Sequence, residues 1–207
     1  MKLSVGLLLA FAALSVAVTA GWTAPLDQAI TVAVAGHRTD VLNNLAVNLT
    51  ALGSAPVAAI VALVAALYAV AAGRPRIVLA LLWTPLSFFL DNGLKLVFQH
   101  PRPTAAIIAI PDSYSFPSGH AVAASALYIT LALASATGER RLRPRRVLVW
   151  GGVLIAVLVA WSRVYLGVHY LSDVVGGLLL GSAGAIAVSI ALRRTDSHDG
   201  AKTLSGP

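Results

Sequence analysis

The chain has 207 residues, 58% of them hydrophobic and only 11% charged, whereas an ordinary soluble domain is roughly 45–50% apolar and about 25% charged. That balance excludes a soluble globular domain and equally a disordered, collagenous or coiled-coil chain; it is the composition of a polytopic membrane protein. The absence of cysteine removes disulfides, zinc–thiolate sites, iron–sulfur clusters and cysteine nucleophiles.

A spanning helix needs about 20 mostly apolar residues. Six stretches qualify: Leu3 to Trp22, Thr50 to Ala72, Ile77 to Phe98, Ser118 to Thr137, Val147 to Tyr165 and His169 to Leu192. The expected architecture is all-α, a single six-span membrane domain over 1–194 followed by a disordered cytoplasmic tail over 195–207. The first stretch has a second reading. Lys2, an apolar run and Val18-Thr19-Ala20 before Gly21 also look like a cleavable secretory signal. With a single Lys in the n-region, a retained helix is the preferred reading. Residues 23–49 form an outer connection, with a short interfacial helix expected around Leu42 to Leu49. Gly177, Gly181 and Gly184 fall at small-residue spacing in the sixth span, which suits close helix packing.

Lys and Arg in the connections set the orientation. With the N-terminus inside, the inner side carries Lys2; Arg74 and Arg76; Arg140, Arg141, Arg143, Arg145 and Arg146; and Arg193, Arg194 and Lys202. The outer side carries only Arg38, Lys95, Arg102 and Arg163. Both termini are then cytoplasmic. This bias explains the formal charge of +7, so no nucleic-acid partner is needed. The oligomeric state stays open.

Two spans have short charge-free cores, residues 77–90 before Asp91 and residues 147–162 before Arg163. Either each helix ends at water there, or the charge lies within the protein at membrane depth. Ionisable groups at that depth are costly and mark functional sites.

Lys95, Arg102 and Arg163 gather three cations at the outer face. Arg offers a planar fork that matches phosphate oxygens, and Lys acts as a point charge. Singly, each is a snorkelling residue; together, with few acids beside them, they read as a phosphate pocket. Asp91, one turn before Lys95, is expected to pair with it structurally. Next comes Ser115-Phe116-Pro117-Ser118-Gly119-His120. Ser115 suits a cap, Pro117 a first turn, and Gly119 a close approach of ligand to backbone. The free N–H groups of Ser118, Gly119 and His120 at a helix N-terminus would seat an anion, with a titratable His beside it. Last, His169 and Asp173 are spaced i,i+4, on one face of a helix. A carboxylate on one imidazole nitrogen fixes the tautomer and makes the other nitrogen the better nucleophile. Gly167 allows the turn between the fifth and sixth spans.

These three stretches resemble the signature of the type-2 phosphatidic acid phosphatase superfamily: Lys-x6-Arg-Pro over Lys95 to Pro103, Pro-Ser-Gly-His over Pro117 to His120, and Ser-Arg-x5-His-x3-Asp over Ser162 to Asp173. All eleven signature residues are present in order and in register. His100 and Pro101 vary within the family and receive no role. The resemblance implies a cofactor-free, metal-independent phosphatase, and the Lys and Arg count puts its active site at the outer face. In it, His169 attacks phosphorus and forms a phosphohistidine, and Asp173 orients it. His120 protonates the leaving oxygen and then deprotonates water. Lys95, Arg102, Arg163, Ser118 and Gly119 bind the phosphoryl oxygens. Charge stabilisation and positioning are what phosphoryl transfer mainly requires.

The expected partners are the bilayer and a lipid phosphate or diphosphate, and the expected location is a bacterial inner membrane. An outward-facing site favours undecaprenyl or another polyprenyl diphosphate, which is released on that side. Phosphatidylglycerophosphate and phosphatidate, made on the inner face, are the alternative. Three other classes compete: a vanadate-dependent haloperoxidase, whose members are typically large and soluble; a non-enzymatic lipid transporter, which would not need His169 and Asp173 beside His120; and a structural or assembly membrane protein, in which Lys95, Arg102 and Arg163 would tolerate Ala without functional loss.

Overall fold

A computed structural model describes residues 1–110, 112–136 and 142–204. The expected end of the fourth span at Thr137, Arg140 and Arg141 of the inner loop, and the last three residues of the tail lie outside the described residues. The helices are α1 (Lys2–Thr19), α2 (Ala24–Ala35), α3 (Asp40–Ala51), α4 (Ala55–Ala71), α5 (Pro75–Leu81), α6 (Trp83–Phe98), α7 (Gly119–Ala124), α8 (Thr130–Ser135), α9 (Leu142–Tyr165) and α10 (Leu171–Leu204). A π turn over Ser125–Ile129 joins α7 to α8.

Four helical stretches among the described residues are long and apolar enough to cross a membrane: Lys2–Thr19, Pro75–Phe98, Arg145–Tyr165 and Leu171–Leu192. The second span expected from sequence is different in detail. It does not start at Thr50: Gly53 and Ser54 interrupt it, and α3 and α4 pass as a span only together, bent by 50°. Pro56 in the first turn of α4 explains the restart, because proline's lost N–H is harmless there. Gly119–Ser135 is apolar but shorter. The connection over residues 23–49 holds one helix more than expected, α2 as well as α3. The backbone also stays helical to Leu204, past residue 195 where a tail was expected; no proline interrupts it before Pro207.

Apolar side chains point both ways. Ile60, Leu63, Val64 and Leu67 on α4 are each about 60% exposed, as residues facing lipid should be. Inside, α10 is the hub, with α1, α7, the π turn and α9 packed against it. Small residues permit this closeness. A Cβ added at Gly177 would meet Ser118 O at 2.7 Å and Ala121 Cβ at 2.8 Å, and one at Gly181 would meet Val122 O at 2.5 Å. Gly177 and Gly181 therefore serve packing between α10 and α7, while Gly184 lies against the Trp83 ring of α6. Phe116 is fully buried where α1, α6 and α10 meet. It stacks on Phe11 at 5.8 Å between centroids and edge-on to Phe98 at 5.1 Å. This anchor fixes the chain on either side of it, Ser115 and Pro117–Ser118, at one end of the bundle.

Candidate active site

Asp91 and Arg163 do not end their helices at water. They are 2% and 3% exposed, and Lys95 is 6% exposed. Asp91 Oδ2 accepts from Lys95 Nζ at 2.5 Å, so the pairing expected one turn apart is present. Lys95 Nζ also donates to Pro117 O at 2.8 Å, tying α6 to the segment before α7. A Cβ at Gly119 would fall 2.7 Å from Asp91 Oδ2 and 3.5 Å from Lys95 Nζ. Glycine is required there because the backbone rests directly on the ion pair. Arg163, on the last turn of α9, donates through Nη1 to Thr50 Oγ1 at 2.7 Å, while its Nε is buried without a partner.

The anion seat differs from expectation in two ways. The helix begins at Gly119, with Ser118 as its N-cap and Pro117 still outside, and Ser115 caps nothing. The Ser118 N–H is not free: it donates to Asp173 O at 3.0 Å, stitching α7 to α10. Gly119 and His120 supply first-turn N–H groups, which have no intrahelical acceptor. The Ser118 hydroxyl is buried with no partner. His120, half-buried, lies where Arg163, His169, Lys95 and Arg102 all act on its ring.

His169 sits in the turn between α9 and α10, two residues before the helix rather than on it. Gly167, at φ +72°, makes that turn. The i,i+4 couple forms nonetheless: His169 Nδ1 is 3.3 Å from Asp173 Oδ2. Asp173 holds this position because it is in the first turn of α10. Its Oδ2 accepts from the Tyr170 N–H at 2.8 Å, in the manner of a capping box, with an acid favoured at a helix N-terminus. Ser115 Oγ donates to the same oxygen and lies 3.2 Å from His169 Nδ1. Arg102 Nη1 donates to His169 Nε2 at 3.2 Å. Nε2 therefore carries the lone pair and Nδ1 the proton. Burial pushes the imidazole below its ordinary 6.5, to about 4, against the pull of Asp173. Arg102 is held by Ser113 O at 2.7 Å, Val168 O at 2.9 Å and Tyr114 O at 3.2 Å.

Lys95, Arg102, Ser118, Gly119, His120, Arg163, His169 and Asp173 thus converge on one end of the bundle from five separate chain segments. A neutral imidazole whose Nε2 lone pair is turned to Arg102, with Lys95, Arg163 and a helix start at the same end of the bundle, is an arrangement able to attack and hold a phosphoryl group. Among the described residues no set of three or more His, Asp or Glu side chains is placed to hold a metal ion.

Residues 76–196 match the family model of the PAP2 superfamily. The chain belongs to the PAP2 superfamily. It is 42% identical over 94 residues to phosphatidylglycerophosphatase B of Bacillus subtilis, covering 44% of this chain and 46% of that protein. It is 42% identical over 85 residues to undecaprenyl-diphosphatase of Sulfolobus acidocaldarius, covering 41% and 37%. The match thus spans less than half the length of these two curated relatives. In fold the likeness is wider. The crystal structure of a transmembrane PAP2-type phosphatidylglycerolphosphate phosphatase from Bacillus subtilis superposes with a TM-score of 0.83 at 30% identity, over 94% of this chain and 98% of that one. Several apolar helices and these membrane-enzyme relatives make this PAP2 protein a multi-pass membrane protein.

Four further residues belong to the site without a signal in the motifs. Thr50 receives Arg163. Ser115 bridges His169 and Asp173. Asp27 of α2 accepts from Ser172 N at 2.9 Å and Ser172 Oγ at 2.7 Å, bracing the start of α10. His100 Nδ1 is 3.1 Å from Asp173 Oδ1. An acid in a connecting segment, as Asp27 is, could have been flagged by its apolar setting; Ser115 stood out only as a cap, and Thr50 and His100 carried no signal.

Proposed function

We propose that this PAP2 protein is an integral-membrane lipid phosphatase that works through a phosphohistidine, with undecaprenyl or another polyprenyl diphosphate as its substrate. The observation that carries the reading is the orientation of His169, with Nδ1–H on Asp173 and the Nε2 lone pair turned to Arg102. The lone pair forms the N–P bond as the P–O bond to the leaving group breaks, and His120 gives that oxygen its proton. Water then attacks the phosphohistidine and passes a proton to His120. Phosphate leaves and neutral His169 is restored. Lys95, Arg102, Arg163, Ser118 and the Gly119 N–H hold the equatorial oxygens throughout. Nothing in this sequence of steps calls for a metal.

Six spans with both termini in the cytoplasm accord with the Lys and Arg distribution, and a Gly119–Ser135 span of roughly 25 Å would nearly cross a hydrocarbon core of about 30 Å. The site then faces outward at the membrane boundary, where a phosphate reaches it with its chain still in lipid. Relatives named as undecaprenyl-diphosphatase support the diphosphate substrate. A second reading, phosphatidylglycerophosphate, is favoured by the structural relative with a TM-score of 0.83. Phosphate release by the purified protein in detergent with EDTA separates these, using polyprenyl diphosphate, phosphatidylglycerophosphate and phosphatidate. The expected result is metal-independent release, fastest with the diphosphate and absent in His169→Ala. Release that requires a divalent metal or survives His169→Ala overturns the mechanism, and a higher rate on phosphatidylglycerophosphate overturns the substrate.

A further inference from the structure

The couple of His169 and Asp173 leaves half of the carboxylate unexplained. Asp173 is fully buried. Its Oδ2 takes His169 Nδ1, Ser115 Oγ and Tyr170 N. The other oxygen, Oδ1, is held by a second imidazole, His100 Nδ1 at 3.1 Å. His100 reaches it because of the chain's exit from α6. Gln99 takes a left-handed φ of +47° and its N–H closes the helix on Lys95 O at 2.9 Å. The His100 carbonyl accepts from Ser115 N at 2.8 Å, and its ring lies 5.4 Å from that of Tyr170. The side chain is 19% exposed against none for Asp173. His100 is thus tied to both residues that flank the carboxylate's other oxygen, Ser115 and Tyr170.

We propose that His100 is a positioning residue of this active site: by donating Nδ1–H to Asp173 Oδ1 it fixes the plane of the carboxylate, so that Oδ2 faces His169 Nδ1 and Nε2 is presented to phosphorus. A carboxylate's terminal torsion is broad and two-fold. Held through Oδ2 alone, it can turn toward Ser115 and Tyr170 N and let the His169 ring go. A donor on each oxygen removes that freedom, and a buried Oδ1 left bare would be unsatisfied. The inference rests on His169 as nucleophile. Among the described residues it adds a side chain whose hydrogen bond goes to Asp173 and not to Lys95, Arg102, Arg163 or Ser118, so its loss should act on turnover and not on phosphate binding. Partners that orient a reactive side chain in this indirect way are typically worth about 10–100-fold.

The geometry supplies its own discriminator. An Asn amide nitrogen stands where His Nδ1 stands, and a Gln amide nitrogen where Nε2 stands. Steady-state kinetics and rapid-quench phosphoenzyme formation are measured on the full chain in detergent, with a short-chain lipid phosphate. The variants are His100→Ala, His100→Gln, His100→Asn and His169→Ala. Ala and Gln should lower kcat and the phosphorylation rate together by ~10–100-fold, with KM within about 2-fold of the parent. Asn should recover most of the loss. Asn and Gln are equally polar and differ by one methylene, so a general fold defect would strike both, and the split between them carries the assignment. Parental kcat in His100→Ala, equal losses in all three, or a loss confined to KM overturns it. If His169→Ala is inactive while His100→Ala is normal, this inference alone fails; if His169→Ala turns over, the nucleophile fails with it.

Discussion

The two sides of the site are built on opposite rules. On the His169 side, Arg102 Nε, Nη1 and Nη2, both His169 nitrogens, both Asp173 oxygens and Ser115 Oγ all have partners in the protein. On the Lys95–Arg163 side, Ser118 Oγ and Arg163 Nε are buried with none. Asp91 Oδ1 is also unpartnered, but it is an acceptor and its carboxylate is committed to Lys95 through Oδ2. Buried polar groups are ordinarily paired, and an unpaired one costs about 1–3 kcal/mol. A fully satisfied network rigidifies, which suits a nucleophile that must point one way. Donors left bare suit an anion that must arrive and leave. In the proposed mechanism the first side serves aim and the second capture, and substitutions on each should fail in different ways.

The hardest break is on the aiming side. His169→Ala should lower kcat by ~10³-fold or more, read as phosphate release, with the fold intact by thermal unfolding. On the capture side, Arg163→Ala should lower kcat/KM by roughly 10²–10³-fold, the usual loss for one charge-stabilising donor, and weaken inhibition by inorganic phosphate in proportion. Lys at position 163 should not restore it, because Thr50 and the phosphate need the two edges of a planar fork. If Arg163→Ala left phosphate inhibition unchanged while lowering kcat, the division between aim and capture would be wrong.

Acidity sharpens the same contrast. In the proposed mechanism His169 must be unprotonated to attack. Burial sets its pKa at about 4, below the ordinary 6.5, so the ring stays neutral as the pH falls from neutrality and takes a proton only as the pH drops through about 4. The contribution of His169 to kcat/KM, which reports free-enzyme groups, is therefore a loss on the acid side near that value, once the substrate's own phosphate ionisation is allowed for. An acid limb near 6.5 that disappears in no other variant would mean a solvated imidazole and a looser site.

The sequence made the main residues of both sides legible and left the contacts that hold them illegible. Three cations, the Pro-Ser-Gly-His helix start and the His169–Asp173 spacing are local facts about residue type and interval, and the structure brings these residues to one end of the bundle. The fold class was legible for the same reason, since apolar runs declare membrane helices. What stayed hidden depends on turns. Gln99 in a left-handed conformation brings His100 to Asp173; the break at Gly53 and Ser54 leaves Thr50 on α3, beneath Arg163; and α2 delivers Asp27 to the start of α10. None of these has a periodic signature, because each is a contact between segments far apart in the chain. The Ser118 N–H was misjudged on the same ground: a helix N-terminus reads as open until another helix is found against it.

Two serines three residues apart offer the finest test of the comparison. Ser115 is fully buried and partnered to both His169 and Asp173; Ser118 is equally buried and its hydroxyl has no partner. Ser115→Ala deprives a buried carboxylate oxygen of a donor, so unfolding stability should fall by about 1–3 kcal/mol and kcat by roughly 10-fold as His169 loses orientation, with KM little changed. Ser118→Ala removes a hydroxyl that contributes nothing to the resting structure, so the unfolding midpoint should hold or rise. Its loss appears only when an anion is bound. A hydrogen bond to a charged group is worth about 1.5–3 kcal/mol, so KM for substrate and the inhibition constant for phosphate should rise by roughly 10-fold or more. The same atom deleted at either end of a four-residue segment should thus give a stability and turnover defect in one case and a binding defect in the other. If both variants lose stability alike, the bare hydroxyl at Ser118 has a structural role, and the capture side is no less preorganised than the side that aims.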